Sequence, residues 1–180
     1  MVGMVNARGL AMKQSRGQFT HLGVRGEARM VDVGEKPVTP RVARAQATVQ
    51  LGPKLARQLR ETGWVAKGNV IETARLAGIA GAKQTWQLIP LCHPLALDLV
   101  AVDARVRGSD VVIEAIAKTR ASTGVEMEAL TAAAVAALTV YDMCKAASKD
   151  IVIGPVLLLE KSGGRSGHWR RAETRRGRQG

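Results

Sequence analysis

The chain predicts an α+β fold, an antiparallel sheet packed on helices, and three observations carry that reading. Residues 41–51 alternate apolar and polar, with Ala43, Ala45, Ala47, Val49 and Leu51 on one side and Arg44, Gln46, Thr48 and Gln50 on the other, the pattern of a half-buried strand. Two more strand-like runs, 97–106 and 110–119, flank Arg107-Gly108-Ser109-Asp110, a hairpin signal. Helical periodicity falls after the first strand and again after the hairpin.

Taken in order, residues 1–18 lack apolar periodicity and read as a disordered basic segment. Residues 19–40 add a glycine-containing loop and a short strand around Met30-Val31-Asp32-Val33. After the first strand, Pro53 opens a helix with Leu55 and Leu59 on one face, closed by Gly63. Asn69 is an N-cap for a longer helix to about Leu88, with Val70, Ala74, Ala77 and Gly81 as its stripe, and Pro90 stops it. Gly78 and Gly81 each cost that helix about 1 kcal/mol against alanine, which predicts the close approach of another backbone. In the second strand of the hairpin, Val111, Ile113, Ala115 and Ala117 share a face. Thr123 and Glu126 form a capping-box pattern ahead of an alanine-rich helix over about Met127–Ala147. A last strand spans 151–160, with Pro155 at an edge or a bulge. Residues 168–180 read as a second disordered basic tail, so 19–167 form a single domain. The resulting β-α-β-β-α-β order, with one helix extra, is that of a ferredoxin-like sheet.

Composition narrows the function classes. A chain of 180 residues with 46% hydrophobic content supports one domain with a core. It contains no uninterrupted apolar run of about 18 residues, so no membrane span is expected. The two cysteines, Cys92 and Cys144, form no CxxC pair, which argues against a zinc site or a disulfide scaffold and fits a reducing cytoplasm. The net charge of +12 is concentrated at the ends: Arg8, Lys13 and Arg16 stand without an acid in 1–18, and five arginines face only Glu173 in 168–180. A moderately basic middle suits a polyphosphate substrate. With 3% aromatic residues, stacking platforms for nucleic acid are scarce, and no nucleic-acid partner is expected.

Chemistry is sought where polar residues interrupt local rules. Three segments qualify: IPLCHPL, TGVEMEAL and YDMCK. On one helix Asp142 and Lys145 share a face, whereas Glu128 lies roughly 21 Å from Asp142 along the axis. One side chain cannot close that gap, so either the two residues serve different ends of a long substrate or two subunits meet, and a site at an oligomer interface follows naturally from the second. Glu126 and Glu128 diverge if both are helical and align if Glu126 is still extended; the sequence leaves both open. Each residue also has a bland reading. His93 suits a structural histidine between prolines, Glu126 a capping partner, and Glu128 a dipole-favoured acid. Asp142 and Lys145 suit an i, i+3 pair, Lys67 a solvated turn, Cys92 and Cys144 small buried hydrophobes. KSGGRSG suits a flexible linker, or glycine-rich backbone for a phosphate.

The segments ARMVDVGEKPVTPR, AKGNVIETARLAGIAGAKQT, LIPLCHPL, TGVEMEALTAAAVAALTVYDMCKA and LLLEKSGGRSG, in this order over residues 20–167, resemble the MoaC family. That resemblance implies a ferredoxin-like α+β fold in a hexamer built as a trimer of dimers, with sites at subunit interfaces. The implied activity is that of a phosphorus–oxygen lyase of molybdenum-cofactor biosynthesis. It would convert a 3′,8-cyclised dihydro-GTP, supplied by a radical-SAM enzyme upstream, to cyclic pyranopterin monophosphate and pyrophosphate. No redox cofactor is implied, and a divalent cation accompanying the triphosphate is left open. By motif, Asp142, Lys145 and Lys67 match the family's catalytic residues. Leu91, Cys92, His93, Met127 and Glu128 match substrate-binding positions, and Glu126 and Lys161 match further pocket residues.

For such a reaction Lys67 and Lys145 would serve as acids if neighbouring cations and burial lower their pKa values, with Asp142 holding one of them. Glu126 and Glu128 would bind the guanidine-like edge of the base, and His93 and Lys161 the triphosphate. Three positions depart from the family pattern: Gly23 for an Asp in THxD, Asn69 for the Asp after Lys67-Gly68, and Arg165 for a Lys in SGGKSG. Gly23 and Asn69 motivate an alternative, a non-catalytic family member acting as a scaffold.

Overall fold

The computed structural model describes residues 28–172, and its contacts divide the chain into Met1–Val31 and Asp32–Gly180. The fold described below belongs to the second unit. The basic segment 1–18 and Gly23 lie outside the described residues. Residues 30–33 form no strand. Asp32 Oδ1 instead accepts from the Gly34 N–H at 2.8 Å and Val33 O from the Lys36 N–H at 3.1 Å, closing a turn.

β1 (Thr39–Gln50) is the central strand. Its alternation holds as read: Ala43, Ala45, Ala47 and Val49 are fully buried. α1 (Pro53–Thr62) starts at the proline and ends on Gly63, whose left-handed conformation directs its N–H to Leu59 O at 2.8 Å. A two-stranded hairpin follows, β2 (Trp64–Val65) and β3 (Gly68–Asn69), with Lys67 in its turn. α2 (Val70–Lys83) opens on Asn69, whose Oδ1 accepts from the Glu72 N–H at 3.0 Å. The helix expected to reach Leu88 breaks at Gln84, and a single turn, α3 (Thr85–Leu88), continues the path. At the break, the buried Thr85 hydroxyl bonds Ala82 O at 2.9 Å, a side-chain alternative to the helical ladder.

β4 (Leu99–Arg107) and β5 (Asp110–Ala121) form the expected hairpin. α4 (Glu126–Cys144) is the long alanine-rich helix. The strand expected over 151–160 is split into β6 (Val152–Ile153) and β7 (Leu157–Ser162) around Pro155, which cannot donate to a ladder. Opposite β7, the register of β1 shifts between Arg44 and Ala45. The tail is shorter than expected at its start, because His168–Arg170 forms β8 against β7.

The sheet order is β4-β5-β1-β7-β8, with every neighbouring pair antiparallel and β6 on the end of β1. β1 and β4 are separated by β5, and β5 and β7 by β1; these are the two interleaved crossovers of a ferredoxin-like sheet. α2 and α4 cover one face. Alanines line both sides of that contact, Ala43, Ala45, Ala115 and Ala117 from the sheet and Ala129, Ala132, Ala133 and Ala136 from α4. Small side chains let the helix sit close, while Ile113, Val111, Val49 and Val140 fill the remaining volume. By composition α4 is apolar enough to cross a membrane, with a hydropathy of 1.3, but 56% of that window is buried, which makes it a core helix.

The two glycines of α2 stand where α4 crosses. A Cβ on Gly78 would lie 2.8 Å from Ala132 O, and one on Gly81 2.8 Å from Val135 Cγ2. Gly81→Ala is therefore expected to destabilise the domain by about 1–3 kcal/mol, although alanine is the better helix former. Urea denaturation measures this; unchanged or greater stability would show that the helices have room to part.

Candidate active site

The polar residues singled out from the sequence gather at the two ends of α4. At the C-terminal end, the β2–β3 turn lays Lys67 against the last turn of the helix. Its Nζ donates to the Asp142 main-chain carbonyl at 2.9 Å and to Asp142 Oδ2 at 3.1 Å. Lys145 Nζ meets Asp142 Oδ1 at 2.7 Å. Asp142 thus bridges two lysines, and Lys67 also satisfies a carbonyl that the ending helix leaves open. Lys67 thus sits in a solvent-accessible turn, 46% exposed, but its ammonium group is paired with Asp142. The bond from Lys145, then that from Lys67, holds the Asp142 carboxyl below its ordinary range. Asp142 in turn raises the pKa of Lys145. The expected lowering of the lysine pKa values is not met at Lys145: all three side chains are solvent-accessible, so pairing outweighs desolvation.

At the N-terminal end, both glutamates are helical, and they diverge. Glu126 reaches β7, where its Oε1 pairs with Lys161 Nζ at 2.9 Å. The capping box with Thr123 does not form: the helix starts at Glu126, so the N-cap is Val125, whose apolar side chain has nothing to cap with, and Glu126 pairs with Lys161 instead. Glu128 turns inward and is only 4% exposed. Burial, reinforced by the Glu126 charge, pushes its carboxyl up to about 7, against one opposing bond from its own backbone. Cys92 lies within reach of that charge: burial first, then Glu128, raises its thiol pKa. Leu91, Cys92 and His93 are half-buried just past α3, in a turn closed by the Cys92 N–H to Ile89 O bond at 3.0 Å. Met127 is exposed. Cys144 belongs to neither cluster; it is a buried core thiol.

The two clusters do not meet within one chain, because α4 holds them roughly 21 Å apart. Between them its outward stripe is apolar: Met127, Leu130, Ala134, Leu138 and Tyr141, with Leu138 57% exposed. Among the described residues no three His, Cys, Asp or Glu side chains gather to hold a metal ion. Asn69 acts as the cap of α2, a task that asparagine and aspartate share.

One residue at the N-terminal end was passed over by the sequence reading. Arg41 opposes the buried Thr119 in β5 and, by alternation, points to the same side of β1 as Ala43, whose partner in β7 is Lys161. Its Nε donates to Ala121 O at 3.3 Å. The signal was available: a charged residue two positions ahead of Ala43 on the apolar face of a strand breaks the alternation.

The class defined by the fold and site is an α+β protein with a ferredoxin-like sheet and acid–base side chains clustered at both ends of its long helix. The MoaC family model matches residues 30–164, and the chain belongs to that family. It is 56% identical over 158 residues to a relative from Thermomicrobium roseum named cyclic pyranopterin monophosphate synthase, covering 87% of this chain and 95% of the relative.

Proposed function

We propose that the chain is a cyclic pyranopterin monophosphate synthase of molybdenum-cofactor biosynthesis. It converts 3′,8-cyclo-7,8-dihydro-GTP to cyclic pyranopterin monophosphate and releases pyrophosphate. The Asp142 carboxylate shared by Lys67 and Lys145 is the observation that carries the reading, in a chain more than half identical to an enzyme of that name.

The reaction opens a purine-derived ring, closes a pterin and forms a cyclic phosphate, so protons move at several atoms. Asp142 stays ionised and keeps Lys145 protonated, a donor for leaving or ring atoms. Lys67, fixed on the same carboxylate, approaches from the other side. Leu91, Cys92, His93, Met127 and Glu128 hold the substrate, with Glu126 and Glu128 toward the guanidine-like edge of the base. His93 and Lys161 hold the triphosphate. In the closing step a substrate hydroxyl attacks the α-phosphorus, and the bond to the bridging oxygen breaks with its electron pair leaving on pyrophosphate. Positive charge near that oxygen lowers the barrier. No redox cofactor enters this scheme, and any divalent cation arrives with the triphosphate. The free thiols Cys92 and Cys144 suit a cytoplasmic enzyme that takes its substrate from a radical-SAM partner.

The test supplies the cyclised dihydro-GTP and follows pyrophosphate and pterin. A folded, assembled protein that makes neither would support the scaffold alternative raised by Gly23 and Asn69.

The complete site is proposed to lie between subunits, in a hexamer arranged as a trimer of dimers. The apolar stripe of α4 supports this: two such helices packed antiparallel about a two-fold axis place the Glu128 end of one beside the Asp142 end of the other. Mixed assemblies test it. Asp142→Asn and Lys161→Ala chains, each nearly inactive alone, are expected to regain up to about a quarter of wild-type turnover when co-refolded, because statistical pairing re-forms intact sites. No recovery in a confirmed hetero-oligomer would place the site within one chain.

A further inference from the structure

We propose that the Ser162-Gly163-Gly164 turn is a seat for the Arg41 guanidinium, with Gly164 as the positioning residue that keeps Arg41 aimed, beside Lys161, at an oligophosphate group. This inference rests on the lyase reading for the identity of the natural ligand, but its geometry is independent of it.

The two glycines behave differently. Both have positive φ, 105° at Gly163 and 68° at Gly164. A Cβ on Gly163 would strike the Pro40 main-chain oxygen, so its smallness fits two backbones together. A Cβ on Gly164 would instead overlap the Arg41 guanidinium, contacting both Nη atoms. The first obstacle is rigid. The second is the end of a flexible side chain, so a methyl group at 164 displaces it and adds the modest backbone strain of a left-handed alanine, but strikes no other backbone.

The same contact fixes where Arg41 can point. Its Nε is held by Ala121 O at the end of β5, and its fork lies on Gly164 in the turn after β7. Ala121 lies five residues ahead of α4, and Lys161, three residues ahead of Gly164, meets Glu126 in the first turn of that helix. Among the described residues Arg41 makes no ion pair. Its single bond to a carbonyl leaves the Nη donors for a planar, two-pronged contact to phosphate oxygens. Lys161 adds a point charge from the neighbouring strand. KSGGRSG is a hydrogen-bonded turn and not a loose linker, and it seats the Arg41 side chain.

Inorganic tripolyphosphate, titrated calorimetrically into the assembled full-length protein, reads this out without turnover. The wild type is expected to bind. Arg41→Ala and Gly164→Ala are each expected to weaken binding about tenfold or more, the loss of one charge-assisted contact. Arg41→Lys should recover only part of it, because a point donor cannot use the flat seat. Gly164→Ala should keep the wild-type circular dichroism spectrum and oligomeric state, whereas Gly163→Ala should lower the melting temperature. In turnover assays Gly164→Ala should raise KM more than it lowers kcat. Wild-type binding by either Arg41→Ala or Gly164→Ala, or no tripolyphosphate binding by the wild type, overturns the seat. Binding that responds as expected in a protein without lyase turnover would uphold the seat and remove the lyase reading.

Discussion

Asp142→Asn is expected to lower kcat by roughly a thousandfold, within the range attributed to a positioned acid–base group. The amide keeps the size of the carboxyl and one acceptor oxygen, so the fold and the Lys67 bond to the main-chain carbonyl should survive. What disappears is the negative charge that two ammonium groups share. Lys145 then loses the partner that raises its proton affinity, and its charge is lost at lower pH. Residual activity should accordingly fall on the alkaline side at a lower pH than in the wild type. Pyrophosphate release from pH 7 to about 12, where a lysine whose proton affinity is raised above its ordinary 10.5 loses its charge, measures both effects, with circular dichroism as a check on folding. Turnover within a few-fold of wild type, or an unshifted alkaline limb, would remove Asp142 from the chemistry.

The fold was legible wherever a periodicity ran long enough to be unambiguous. β1 shows its buried face through four inward residues, Ala43, Ala45, Ala47 and Val49, and the hairpin declares itself through Gly108. The failures have local causes. The strand over 30–33 had apolar residues but no partner signal, and Asp32 and Gly34 chose a turn. Pro155 was recognised as disruptive, but only the structure shows that it divides the strand into β6 and β7, with a further irregularity at Leu159 opposite Arg44 and Ala45. The capping box failed because the helix starts at Glu126 and not just after Thr123, and the partner that Glu126 does have, Lys161, lies 35 positions away, beyond any local window. At the site, spacing along α4 showed that Glu128 and Asp142 lie at opposite ends. It could not show that Lys67, from a hairpin turn, closes on Asp142, because that contact spans 75 residues. Arg41 was hidden for a similar reason, since its meaning depends on a glycine in another strand's turn.

Glu128→Gln is expected to stabilise the protein while impairing it. The Glu128 carboxyl titrates near 7 when folded, against an ordinary 4.5, so the folded chain holds that proton more tightly than the unfolded chain does. Protonation therefore favours folding. Stability falls as pH rises between 4.5 and about 7, and the full cost of an ionised, buried carboxylate is present above that. Glutamine never ionises. The variant should match the wild type near pH 4.5 and exceed it at pH 8 by about 3 kcal/mol, as the size of the shift implies. Urea denaturation at the two pH values separates this from a simple packing gain, which would be equal at both. An equal gain, or none at pH 8, would show that Glu128 ionises without cost. Activity should move the other way, because a cationic or donor-rich edge of the substrate supplies the partner that the chain withholds from Glu128. A rise in KM of about tenfold is the loss expected for one charge-assisted contact. Stability and binding thus oppose each other at a single side chain, the behaviour of a residue held in a strained ionisation state for a ligand.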